Sequence, residues 1–145
     1  MTRTQTLNSL ALANAIPSDC PHLLIWDNPN SLEFGHLEFR YGAQRIDYRD
    51  NVVTRLKSGN KYLNLHRNCN LELAEIKTIC QEAIKPVVLL EGLDSLFAYL
   101  MAKSGKIELF WRNLADTRHL NCILWIVLPS SLLWHGWDKN RIMFL

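Results

Sequence analysis

Ile123-Leu124-Trp125-Ile126-Val127-Leu128 is an uninterrupted apolar run, and it decides the fold class of this chain. A strand that is apolar on both sides needs cover on both faces of its sheet. Helical periodicity in 71–83 and from 93 to about 117 separates this run from earlier ones. The sequence therefore predicts a three-layer α/β domain with a mainly parallel sheet and helices on both faces. The other predicted strands are 23–26, 61–65, 87–90 and 142–145.

Length and composition fit one globular domain that spans 1–145. The chain has 145 residues, of which 48% are hydrophobic and 21% are charged, so it can bury a continuous core. Its four cysteines form no CxxC pair, and the first residues lack a signal-peptide pattern. We therefore expect a cytoplasmic protein without disulfides and without a membrane segment.

The region 32–50 carries alternating apolar and charged residues. Leu37, Phe39 and Tyr41 alternate with charged neighbours, and a second alternation follows Gly42. A period of two is typical of a half-buried strand. The pattern predicts a hairpin-like insertion before the main run of strands and helices, although a helix over the same residues stays open.

Positive charge is concentrated in segment 40–67. Seven arginines and lysines stand there against Asp47 and Asp50, as in an electrostatic footprint for phosphates. Tyrosines in the same segment could stack on bases of DNA or RNA. A solvated strand face that guards a sheet edge explains the same charges, and both interpretations stay open. The predicted nucleic-acid contacts are Arg40, Arg45, Arg49, Lys57, Lys61, Tyr41 and Tyr48.

Three segments carry a resemblance to a known superfamily. Leu23–Ser31 falls where P-loop NTPases of the RecA/AAA type have their first strand and phosphate loop. Val87–Asp94 looks like the strand whose terminal acids hold magnesium. Trp125–Ser130 is similar to the strand whose polar end senses the γ-phosphate. Within that superfamily, the run from Tyr62 through Phe97 looks most like the small P-loop-type subunit of bacteriophage-exclusion systems, which implies a prokaryotic defence or mobile-element complex.

The phosphate loop itself departs from the pattern of that superfamily. Such a loop needs glycines, so that backbone N–H groups converge on the anion, and a lysine for the β- and γ-phosphates. The turn here is Asp27-Asn28-Pro29-Asn30-Ser31, which has neither and adds a negative charge. We therefore expect a degenerate nucleotide site and no cofactor.

Two constellations keep an enzymatic alternative open. Glu91 and Asp94 follow a buried strand and could bind a metal, or could simply form a turn and a helix cap. Glu75-Ile76-Lys77 matches the ExK triplet of PD-(D/E)xK nucleases, with Asp47, or else Asp50, as the upstream acid. The nuclease interpretation requires a strand at 71–77, whereas the helix pattern would separate Glu75 from Lys77.

Tryptophans crowd the last third of the chain. Trp134 and Trp137 lie in a loop-like stretch, which predicts a surface for a protein partner. A lid packed over the end of the sheet is the alternative. The sequence as a whole favours a non-catalytic binding or assembly subunit. A metal-dependent nuclease and an ATPase completed in trans by a partner remain the alternatives.

Overall fold

The computed structural model describes residues 12–57, 69–102 and 107–145. Five parallel strands form one sheet in the order β2-β3-β4-β1-β5. This confirms the predicted three-layer α/β architecture with a mainly parallel sheet. The strands are β1 (His22–Ile25), β2 (Ala43–Asp47), β3 (Val87–Glu91), β4 (Ile123–Leu128) and β5 (Ile142–Phe144).

The helices divide unequally between the two faces of the sheet. Helix α1 (Ser31–Tyr41) and a 3-10 turn at Leu12–Asn14 cover one face. The other helices pack against the opposite face. They are α2 (Tyr48–Lys57), α3 (Cys69–Glu82), α4 (Leu93–Ala102) and α5 (Ile107–Ala115).

The core follows the alternation of the central strands. Leu124, Ile126 and Leu128 of β4 join the cluster under α3, α4 and α5. Trp125 and Val127 join the cluster under α1. Trp125 also donates from its indole N–H to the Leu12 carbonyl, at 3.0 Å, which satisfies the one polar atom that its burial would otherwise isolate.

The predicted hairpin at 32–50 is wrong. These residues form α1, β2 and the start of α2, and β2 pairs in parallel with β3. Phe34 and Leu37, one helical turn apart, are buried against the sheet, while Phe39 is 90% exposed. The apparent alternation arises because the exposed apolar residue Phe39 interrupts the helical period of the buried residues.

The predicted strand at 61–65 lies outside the described residues. None of the described helices combines the length and the apolar character needed to cross a bilayer.

Candidate functional site

A cleft of about 290 Å³ lies at the carboxyl edge of the sheet. The chain leaves β1 towards β2 and leaves β4 towards β5, in opposite directions along the sheet. Ligands of open parallel sheets bind where neighbouring connections diverge in this way. The residues that line this cleft include Trp26, Asp27, Pro29, Phe34, Arg45, Arg49, Glu91, Gly92, Asp94 and Pro129.

The turn after β1 is fastened to the end of β4. The Asp27 carboxylate accepts hydrogen bonds from the Ser130 backbone N–H at 2.7 Å and from the Ser130 hydroxyl at 2.9 and 3.0 Å. The Asp27 carboxylate therefore holds the strand ends of β1 and β4 together at this edge of the sheet.

Asn30 begins α1 with a reciprocal cap. Its side-chain oxygen accepts from the Glu33 backbone N–H at 2.8 Å, and its amide donates to the Glu33 carboxylate at 2.6 Å. An N-cap side chain uses one of the N–H groups that a bound anion would need. At the N-terminus of α1, the Asn30 side chain therefore already occupies a backbone N–H that an anion would otherwise bind.

Arg45 of β2 ties three elements together. Its guanidinium makes a two-pronged ion pair with Glu91 at the end of β3, at 2.5 and 3.1 Å, and its Cζ lies 4.1 Å from the ring centroid of Phe34 in α1. The hydrogen bond to Glu91 raises the pKa of Arg45. The charge of Glu91, a residue predicted as a possible metal ligand, is thus neutralised within the chain.

Asp47 and Arg49 form a second pair above Gly92. Arg49 donates to Asp47 from its backbone N–H at 2.9 Å and from its guanidinium at 3.0 Å twice. Burial pushes the pKa of Asp47 up, but these hydrogen bonds outweigh it, so the pKa of Asp47 lies below its usual 3.8. Gly92 has φ +84°, and a Cβ there would collide with the Asp47 carboxylate, so only glycine fits.

These residues do not fit a nucleotide with its metal. Two arginines face four carboxylates around the cleft, those of Asp27, Asp47, Glu91 and Asp94, so the formal balance is negative. Asp94 lies in the first turn of α4. Within the described ranges, no group of three or more His, Cys, Asp or Glu side chains is arranged to hold a metal ion.

Comparison with known proteins returns no match. No family model fits this chain, and neither curated proteins nor solved structures give a significant similarity. The interpretation of the cleft therefore depends on its own geometry.

Among the described residues, the predicted nucleic-acid contacts differ in how available they are. Arg45 and Arg49 are held in the ion pairs of the cleft. Tyr48 is buried and donates its hydroxyl to the Glu72 carboxylate, so it cannot stack on a base. Arg40 and Tyr41 end α1. Lys61 and the side chain of Lys57 lie outside the described residues.

The nuclease alternative lacks the geometry that it requires. Glu75 and Lys77 belong to helix α3, as the helical pattern predicted. Glu75 accepts a hydrogen bond from the Asn51 amide at 3.1 Å, and Lys77 is exposed. A strand that aims both side chains at one metal is absent from 71–77.

The predicted partner residues Trp134 and Trp137 pack inward. Trp137 is only 3% exposed and donates to the Arg141 carbonyl. Trp134 is half-buried and stacks on Trp111, with ring centroids 6.0 Å apart. The lid interpretation fits this arrangement, and Trp137, as it lies here, has almost no surface to offer a partner.

Sequence reasoning missed the buried acid Glu72. Its carboxylate is 3% exposed and receives a two-pronged ion pair from Arg55, at 2.7 and 2.8 Å. In the sequence, Glu72 resembles any acid near the start of a helix. Its burial depends on how α2 and α3 pack, which a local pattern does not report.

Proposed function

We propose that this chain is a non-catalytic binding and assembly subunit of the cytoplasm, built on a P-loop-like core with a degenerate nucleotide position. The observation that carries the proposal is the bonding of Asp27 to Ser130. This contact lies where a phosphate loop would bind ATP. The Asp27 carboxylate and the Ser130 donors form hydrogen bonds with each other there, without a ligand.

The sheet order supports the P-loop-like part of the proposal. The resemblance requires the strand ends at Asp27, Glu91 and Ser130 to serve one site. The order β3-β4-β1 sets these three ends side by side. The superfamily has a helix after its first strand and turn, and α1 lies at that position here. The hairpin predicted from the sequence would not have agreed with this feature.

Electrostatics support the non-catalytic part. A phosphate oxygen held about 4 Å from the Asp27 carboxylate would cost about 4 kcal/mol per pair of unit charges at an effective dielectric constant of 20. Arg45 and Arg49 cannot offset this cost freely, because each already neutralises a carboxylate. Releasing either arginine would leave Glu91 or Asp47 unpaired in a half-buried position.

Protein partners, more than nucleic acid, fit the assembly role. Two of the predicted phosphate contacts are committed to ion pairs, and Tyr48 is buried. Large apolar side chains are instead exposed on the helices. A place in a prokaryotic defence or mobile-element complex rests on the sequence resemblance alone.

Isothermal titration calorimetry with ATP and Mg²⁺ tests the proposal. We expect no saturable heat for the full chain up to millimolar ATP. We expect the same for Asp27→Asn, because the turn would still lack glycines and lysine. Intrinsic tryptophan fluorescence, to which Trp26 in the cleft contributes, gives a second readout of binding. Saturable binding of ATP that Arg49→Ala weakens would overturn the non-catalytic assignment.

A further inference from the structure

The outward face of α1 carries two large apolar side chains that contact no core. Leu32 is 85% exposed and Phe39 is 90% exposed. They lie seven residues apart, which is about two helical turns, on one stripe of the helix. The inward face of the same helix buries Phe34 and Leu37. Helix α1 is thus apolar on both sides, as is expected of a helix packed between two surfaces.

We propose that a second copy of this chain covers this outward face, with its own α1 packed antiparallel against the first α1. This inference names the partner of the assembly role proposed above and rests on that role. The surface, here called the α1 face, consists of Leu32, Glu33, Gly35, His36, Phe39 and Arg40.

The centre of the α1 face allows close approach of another helix. Gly35 lies between Leu32 and Phe39, and a Cβ built on it would meet nothing within 4 Å. His36 beside it is exposed. In an antiparallel pair centred here, Leu32 of each copy meets Phe39 of the other, so each apolar side chain covers its counterpart across a twofold axis.

Charge selects the antiparallel direction. Glu33 and Arg40 are also seven residues apart and share one flank of the stripe. The antiparallel arrangement sets Glu33 of each copy opposite Arg40 of the other. In a parallel pair related by a twofold axis, the flank that carries Glu33 and Arg40 would face the other flank of the partner helix, so these ion pairs would not form. The α1 face is therefore complementary to itself in one orientation.

The size of the α1 face sets the strength of the contact. A helix of 11 residues is about 17 Å long, so the contact belongs with small, transient interfaces. We therefore expect a dimer that dissociates on dilution.

Analytical ultracentrifugation of the full chain over a wide concentration range tests this inference. We expect the wild type to shift from monomer to dimer mass as concentration rises. Phe39→Glu should stay monomeric throughout. Leu109→Glu is the matched control, because Leu109 is 52% exposed on α5 at the opposite face of the sheet, and it should dimerise as the wild type does.

A charge swap tests the orientation. Arg40→Glu should weaken the dimer at least about tenfold, because it sets Glu33 against a second acid. Adding Glu33→Arg to Arg40→Glu should restore the dimer relative to either single variant, and the Glu33→Arg single variant controls for the lost hydrogen bond from Asn30. Thermal melts establish that each variant is folded. A wild type that stays monomeric, a dimer that survives Phe39→Glu, or a swap that fails to rescue would overturn the inference, whereas only ATP binding would overturn the non-catalytic assignment.

Discussion

A single buried carboxylate organises the contact between α2 and α3. Glu72 accepts hydrogen bonds from the Tyr48 hydroxyl and from both terminal nitrogens of Arg55. Burial and the hydrogen bond to Glu72 raise the pKa of Tyr48 far above its ordinary value, so Tyr48 remains a donor. Hydrogen bonding to Glu72 likewise raises the pKa of Arg55. The charge of Glu72 is therefore neutralised by Arg55, and its carboxylate is hydrogen-bonded by Arg55 and Tyr48.

We expect Glu72→Ala to destabilise the fold by about 3 kcal/mol or more, because it removes the carboxylate that makes a two-pronged ion pair with the Arg55 guanidinium. Glu108→Ala is the control, since the Glu108–Arg112 pair is 63% and 62% exposed and such pairs contribute about 0.5 kcal/mol or less. Urea unfolding measures both variants. Equal losses in the two variants would contradict the assigned importance of Glu72.

His22 makes stability depend on pH. It is 1% exposed, and its Nε2 donates to the Pro17 carbonyl at 2.6 Å. Burial lowers the pKa of His22 below its ordinary 6.5, although the Pro17 carbonyl acts in the opposite direction. The unfolded chain therefore takes up a proton at a higher pH than the native chain does, and low pH favours unfolding.

We expect the contribution of His22 to be complete above pH 6.5 and to be lost as the pH falls below that value. His22→Gln should flatten this part of the stability profile, measured by thermal melts between neutral and mildly acidic pH. His119→Gln, at a side chain 94% exposed, should leave the profile unchanged. A wild-type profile without a decline in this range would refute the assignment to His22.

At the scale of elements, α1 shows where local patterns fail. Strand β4 matches its predicted bounds of 123–128 because six consecutive apolar residues allow little else. In α1, exposed Phe39 sits two residues from buried Leu37 and imitates the alternation of a strand. The error coincides with the proposed docking surface, because an apolar side chain placed for a partner does not obey the pattern of the core.

The cleft could be predicted only in part, for a similar reason. Asp27 and Glu91 were foreseen at strand ends, because each follows an apolar run. The pairing of Arg45 with Glu91 was not, because it spans 46 residues and depends on the parallel register of β2 with β3. A register is a property of the assembled sheet and leaves no local trace.

Two glycines should respond in opposite directions to the same substitution. Gly35→Ala should stabilise the chain by about 0.5–1 kcal/mol, because alanine favours the interior of α1 and nothing obstructs its Cβ. Gly92→Ala should destabilise it by more than about 1 kcal/mol, because φ is +84° and Asp47 lies in the way. Chemical denaturation compares the two. The same sign for both would contradict the geometry of the turn after β3.

At the scale of the whole molecule, the sheet has three central strands and two edge strands. Strands β3, β4 and β1 each have a neighbour on both sides, whereas β2 and β5 lie at the edges. Opening free energies rise towards the core of a fold. We expect amides of β1, β3 and β4 to exchange slowest in hydrogen exchange followed by mass spectrometry. Peptides from β2 or β5 that exchange as slowly would contradict this ranking.

The unequal cover of the sheet separates two surfaces of the protein. The α1 face lies on one side, and an apolar groove of about 340 Å³ between α2 and α4 lies on the other, lined in part by Val52, Val53 and Leu96. The sheet stands between them, so a molecule seated at one would not obstruct a molecule seated at the other.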